Sequence, residues 1–120
     1  MDGLEIHTSH IHDRGVFATR GYRAGETVER CPVLVVPAAE RHLIDRTHLH
    51  HYCFPWQDGA AAIALGFGSL YNHAAEPRAR YRKDFGAGIV EIVAARDIPA
   101  GYEITVDYTE GGTEKLWFPQ

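Results

Sequence analysis

Short alternating runs, broken by turn residues, make up most of this chain. In GLEIHTSHI the apolar Leu4 and Ile6, and later Ile11, stand between polar neighbours, the spacing of a half-buried strand. A turn at HDRG precedes a second short strand, VFAT. ETVERCPVLVVP supplies a third, with the β-branched run from Val33 to Val36 near its end. Pro37 then opens PAAERHLIDR, whose proline-first start and apolar spacing predict a short helix. QDG at 57–59 reads as a turn before the small apolar strand AAAIAL. Residues 78–95 read as a β-hairpin: RARYRKD alternates, FGAG turns and IVEIVAA returns. DIPAGYEITVDY adds a turn and a last strand. The glycine-rich tail TEGGTEKLWFPQ ends on Trp117 and Phe118, side chains costly to leave in water, so it is expected to fold back on the domain.

One stretch occurs twice. Ala18-Thr19-Arg20-Gly21-Tyr22-Arg23-Ala24-Gly25 matches Ala94-Ala95-Arg96-Asp97-Ile98-Pro99-Ala100-Gly101 in spacing: alanine, arginine, a large apolar residue, then Ala-Gly. Each copy lies between two strands, so both predict similar turns with glycine at a positive φ.

Composition narrows the class. A chain of 120 residues with 45 % hydrophobic and 23 % charged residues has the size and balance of one globular domain. A net charge of −4 without a basic stripe argues against direct nucleic-acid binding and tolerates a basic partner such as a lysine-rich peptide. No apolar run approaches the roughly 20 residues that span a bilayer, so no membrane partner is expected. MDGLEIHTSH lacks a signal-peptide pattern, which points to an intracellular, cytoplasmic chain, nuclear if its source is eukaryotic or viral. Cys31 and Cys53 then read as free thiols.

Several chemistries fail on spacing. THLHHYC gathers His48, His50, His51 and Cys53, and clustered histidines in a small β protein suggest a metal-binding barrel. However, no glutamate follows His50 at the needed distance, and no histidine follows Gly101, so no metal site is expected. There is no G-x-S-x-G elbow, and GFGSLY lacks the third glycine and the βαβ setting of a dinucleotide fingerprint. What remains is a widely spaced polar and aromatic set: Arg14-Gly15, Tyr52, Asn72-His73, Tyr81 and Tyr108. Singly, each tyrosine reads first as a core or interface residue.

Their order resembles the SET domain of protein-lysine methyltransferases. RGVFATRGYRAGETVE is similar to that family's opening G-x-G loop and its A-T-R…G-E turn. GSLYNHAAEP is similar to its N-H-S-C-x-P-N signature, and AARDIPAGYEITVDY to its closing GEEL…DY segment. The match departs in four places: Asp13 replaces the first glycine of the loop, Ala74-Ala75 replace Ser-Cys, Arg78 replaces the final asparagine, and Arg30-Cys31-Pro32 lacks a tyrosine often found there. The resemblance implies a mostly β fold with little helix: small antiparallel sheets, β-clip-like, with a C-terminal pseudoknot. It implies a single domain over residues 1–120, with 37–58 as a short variable insert and 109–120 as a C-terminal tail.

The same resemblance implies methyl transfer from S-adenosylmethionine to a lysine ε-amine of a histone tail or another basic protein, leaving S-adenosylhomocysteine. By position, the backbone of Arg14, Gly15 and Val16 would hold the donor's methionine end, and Tyr52 would line the donor pocket. Asn72 would bind the donor's amino group, His73 the adenine edge, and Trp117 would cap the adenine or the lysine channel. Tyr108 would border both methyl and amine. Tyr81 would carry a hydroxyl that leaves little room for added methyl groups, implying a preference for monomethylation. A catalytically silent SET-like domain that binds the donor or a peptide is the alternative. So small a domain has few elements with which to build a peptide groove, so a homodimer also fits this reading.

Overall fold

The structure is a computed structural model that describes residues 2–107. β1 (Leu4–Thr8) and β2 (Arg14–Ala18) form an antiparallel pair, with Leu4 opposite Ala18 and Thr8 opposite Arg14. Leu4, Val16 and Ala18 are buried, as the alternation predicts. Asp13, in the connecting loop, has a φ of 42°, in the left-handed region. It is the residue that replaces a glycine of the family pattern, and aspartate is among the few non-glycine residues that visit this region readily.

β3 (Thr27–Val36) organises the main sheet. The chain continues through α1 (Ala38–Asp45), a 3₁₀ turn at His48–Tyr52, β4 (Cys53–Pro55), a second 3₁₀ turn at Gln57–Gly59 and β5 (Ala61–Ala64). β6 (Asn72–His73), β7 (Ala79–Asp84), β8 (Ile89–Ala94) and β9 (Thr105–Val106) follow. The five-stranded sheet has the order β4-β5-β3-β8-β7. The N-terminal half of β3 pairs with β8 as far as Pro32 opposite Ile89, and its C-terminal half pairs with β5 from Val33 opposite Ala64. The predicted 78–95 hairpin is the β7–β8 pair.

The two edges of this sheet meet. Phe54 of β4 packs edge-to-face on Tyr81 of β7 at 4.7 Å, and Trp56 packs on Phe85 at 4.7 Å. The Lys83 ammonium donates to the Pro55 carbonyl at 2.7 Å. The edges are thereby covered by side chains, and the space between fills with Cys31, Ala62, Ala64, Tyr71, Val90 and Ile92, all buried.

The two repeated turns bind each other. The Gly25 N–H donates to the Ala94 carbonyl and the Gly101 N–H to the Ala18 carbonyl, both at 2.7 Å. Tyr22 and Ile98, equivalent in the repeat, exchange two backbone hydrogen bonds at 2.8 Å. Gly25 and Gly101 have φ of 87° and 90°, and nothing lies within 4 Å of where a Cβ would stand. Backbone conformation, not space, therefore requires glycine at both.

The closing segment is less of a strand than its alternation predicts. Residues 102–104 bond to β2, through the Ala18 N–H to the Tyr102 carbonyl at 2.9 Å and the Ile104 N–H to the Val16 carbonyl at 2.8 Å. Only Thr105–Val106 is left to pair, parallel, with Asn72–His73. This parallel contact is the part of the expected chain crossing that lies within the described residues. It explains why the segment ties two sheets together and forms no long strand of its own.

Candidate functional site

The site is built where β2, β6 and residues 103–107 meet. Asn72 is buried, and its carboxamide nitrogen faces three acceptors: the Glu103 carboxylate at 2.8 Å, the Arg14 carbonyl at 3.0 Å and the His12 carbonyl at 3.2 Å. The other carboxylate oxygen of Glu103 accepts from the Ser9 hydroxyl at 2.7 Å, and Ser9 in turn accepts from the Ile11 N–H at 3.0 Å. One carboxylate thus fastens the loop between β1 and β2 to the Asn72 strand, by bonds that a charged acceptor strengthens.

Gly15 makes this junction sterically feasible. A Cβ at Gly15 would stand 2.8 Å from the Glu103 Cδ and 2.9 Å from the Asn72 Nδ2, inside van der Waals contact. Its φ is not in the positive range, so this glycine is needed for the close approach and not for a turn. Val16, fully buried, continues the strand and binds Ile104 through its carbonyl.

Beside Asn72, His73 is half-buried, and its Nδ1 lies 3.8 Å from the Asp107 carboxylate. Arg78 closes the far side. Its N–H donates to the Thr105 hydroxyl at 3.2 Å, its guanidinium donates to the Glu103 carbonyl at 3.2 Å, and the same group lies over the Tyr102 ring at 4.9 Å. The residue that departs from the family asparagine is therefore bound to the closing segment at three points.

The residues singled out from sequence divide into groups. Arg14, Gly15, Val16, Asn72 and His73 come together at this junction. Tyr81 stands apart on β7, partly buried against the core and Phe54. Tyr52 ends the 3₁₀ turn at His48–Tyr52, with its ring 5.5 Å from that of His48. Tyr108 and Trp117 lie outside the described residues. Glu103, Ser9 and Asp107 were missed. A lone glutamate in GYEITVDY carries no sequence signal of a partner 94 residues away.

Among the described residues no group of three His, Cys, Asp or Glu side chains is placed to hold a metal ion. The histidines of the His48–Tyr52 turn instead lean edge-on against one another, His48 on His51 at 5.4 Å and His50 on His51 at 5.6 Å, and His50 is 3.0 Å from Asp45. Cys31 and Cys53 are free thiols, and burial pushes both above the usual thiol range. No helix among the described residues is long and apolar enough to cross a membrane.

The family model of the SET domain matches residues 13–109. The chain is similar to a histone-lysine N-methyltransferase of Schizosaccharomyces pombe, specific for lysine 37 of H3. The two are 31 % identical over 116 residues, which cover 96 % of this chain and 76 % of that protein. A solved structure of a Plasmodium falciparum protein assigned as a histone methyltransferase superposes with a TM-score of 0.70 at 26 % identity. It covers 88 % of this chain and 96 % of that one.

Proposed function

This chain belongs to the SET-domain family of protein-lysine methyltransferases, and from that premise we propose that S-adenosylmethionine is its methyl donor and a lysine of a basic protein its acceptor. The observation that carries the donor reading is the set of acceptors around Asn72: two backbone carbonyls and the Glu103 carboxylate within 3.2 Å of one amide nitrogen. Those acceptors hold the amide nitrogen and leave the Asn72 carboxamide oxygen to accept from an ammonium group, which can only donate, and the donor's methionine end carries one. The residues present therefore fit the group. Arg14, Gly15, Val16 and Asn72 would hold the methionine end and His73 the adenine edge. Tyr52 and Trp117 are further proposed contacts, for the pocket wall and its cap. When bound, the donor supplies an activated methyl on a positively charged sulfur.

The chain's own task is to present a neutral amine in line with that methyl. Free lysine titrates near about 10.4 and is under about 1 % neutral at pH 7. Burial in an apolar channel lowers that value, because desolvation disfavours the charged form. Tyr81 and Phe54 offer such a surface on β4 and β7. Tyr108 is proposed to orient the amine lone pair and Tyr81 to limit the methyl count through its hydroxyl. No strong base is required once alignment is achieved, since positioning alone can contribute about 7–11 kcal/mol.

A histone tail is the first acceptor to test, because the Schizosaccharomyces pombe relative is specific for a lysine of H3. Thermal-shift titration with S-adenosylhomocysteine is expected to raise the melting temperature. Radiolabelled methyl transfer to histones and to cell extract is expected to label lysine. Binding without transfer would identify a silent domain, and full transfer by Tyr108→Phe would overturn the proposed part of Tyr108.

A further inference from the structure

A buried carboxylate–phenol pair stands beside the site, and the proposed chemistry leaves it unused. Glu29 on β3 is 8 % exposed and Tyr71 is 1 % exposed. The Tyr71 hydroxyl donates to Glu29 at 2.7 Å, and the Phe67 N–H donates to the other carboxylate oxygen at 2.9 Å. Burial, and next the charge of Glu29, push the Tyr71 hydroxyl far above its usual range, so it stays a donor at any working pH.

Register gives the pair a direction. On the five-stranded sheet Ile92 of β8 pairs with Glu29 on one side and with Tyr81 on the other. Residues directly opposite across a sheet share a face, so Glu29 and Tyr81 flank the fully buried Ile92 on the same side. Two interstrand spacings separate them, roughly 10 Å. Tyr71 immediately precedes Asn72 in the chain, so its ring runs from the Asn72 junction to that row. Tyr81 also lies within electrostatic reach of the Tyr71 hydroxyl.

We propose that Glu29 and Tyr71 are a positioning pair for the lysine side of the site: the carboxylate fixes the Tyr71 hydroxyl, and its negative charge favours the positive charge that arrives on the substrate nitrogen. The inference rests on the methyl-transfer reading above. In that step the lysine lone pair forms the N–CH₃ bond while the S–CH₃ bond breaks and its electron pair stays on sulfur. One positive charge moves from sulfur to nitrogen, and the methylammonium then loses a proton to water. An anion held on the nitrogen side is better placed after that shift than before it, which is transition-state stabilisation. The charge moves only the few ångströms between sulfur and nitrogen, so at about 10 Å and an effective dielectric near 20 the difference between the two positions is enough to change a rate by about twofold.

Glu29→Gln keeps the shape and removes the charge, and Tyr71→Phe keeps the ring and removes the hydroxyl. Each full-length variant is compared with wild type for kcat and KM on a histone peptide, for S-adenosylhomocysteine affinity by calorimetry, and for melting temperature. The expected result is about a twofold fall in kcat for each, with S-adenosylhomocysteine affinity unchanged. The double variant is expected to cost little more than either single one, as for groups that act as one unit. Folded variants with unchanged kcat would overturn the inference. So would losses of donor affinity and melting temperature that account for the fall in rate, or failure of both single variants to fold, since each assigns the pair to the core alone. A wild-type protein that transfers no methyl group would overturn the function itself, and the inference with it.

Discussion

Gly15→Ala tests the junction most directly, because the structure fixes what the added methyl group meets. The new Cβ would stand 2.8 Å from the Glu103 Cδ and 2.9 Å from the Asn72 Nδ2, and these two residues are joined to each other by a 2.8 Å hydrogen bond. Neither side can yield freely: Glu103 is held by Ser9 on its other oxygen, and Asn72 is buried in β6. Overpacking of this kind costs about 1–3 kcal/mol. Separation of the pair gives up a hydrogen bond to a charged group, worth about 1.5–3 kcal/mol. Part of each is recovered by relaxation, so a net loss of about 2–3 kcal/mol is expected, or about 6–15 °C in melting temperature for a domain this size. The local effect should exceed the global one. S-adenosylhomocysteine affinity, measured by calorimetry below the melting range, is expected to fall more than tenfold. Glu103→Ala makes room for the methyl group, so adding Gly15→Ala to Glu103→Ala should cost less than Gly15→Ala alone. A Gly15→Ala protein with wild-type melting temperature and donor affinity would refute the close approach on which the site is built.

Two further outcomes follow from single groups. Tyr81→Phe keeps the ring packed on Phe54 at 4.7 Å and removes the hydroxyl, so mass spectrometry of the product is expected to shift toward di- and trimethyl-lysine. An unchanged product spectrum in an active variant would reject the limiting part given to Tyr81. Stability should also fall at alkaline pH: the Tyr71 hydroxyl is raised in the folded protein, whereas in the unfolded chain it titrates near about 10. Below that pH its contribution is complete. Above it the unfolded chain loses a proton that the folded one keeps, so stability declines as pH rises. Tyr71→Phe is expected to flatten this decline in denaturant titrations between about pH 9 and 11. Tyr22, Cys31 and Cys53, raised in the same sense, would contribute to what remains.

Local pattern carried most of the fold. Alternation located β1, the 78–95 hairpin and β3, and the proline-first segment located α1, because each depends on neighbours within a few residues. The repeated turn was legible as a turn, but not as a turn that binds its own copy through Tyr22 and Ile98. Two-residue strands such as Asn72–His73 and Thr105–Val106 leave no periodicity to read. Their pairing spans more than 30 residues and is parallel. The polar site was legible only where resemblance marked it. The signature marked Asn72 as a candidate, whereas Glu103 and Ser9 carried no mark, since each is an ordinary polar residue until the chain crossing brings them to 2.7 Å.

The departures from the family pattern show why such a site can drift in sequence and keep its geometry. At Asp13 the pattern asks for a backbone conformation, and aspartate meets it with a φ of 42°. At Ala74 the structure uses the backbone N–H, which donates to the Val106 carbonyl at 3.0 Å, so the side chain is free to change. At Arg78 a longer side chain reaches the Glu103 carbonyl and the Tyr102 ring, tying down the same closing segment. Gly15 and Asn72 differ from these: one position admits no Cβ, and the other presents a buried amide to three acceptors. Tolerance should follow that division. Ala74→Ser and Arg78→Asn, which return two of the departures to the family residues, are expected to change donor affinity less than about threefold, the scale of one exposed hydrogen bond. Asn72→Ala removes a buried donor from three acceptors at once and is expected to abolish measurable S-adenosylhomocysteine binding. If Arg78→Asn proved as damaging as Asn72→Ala, the arginine would be part of the donor site itself and the division drawn here would fail.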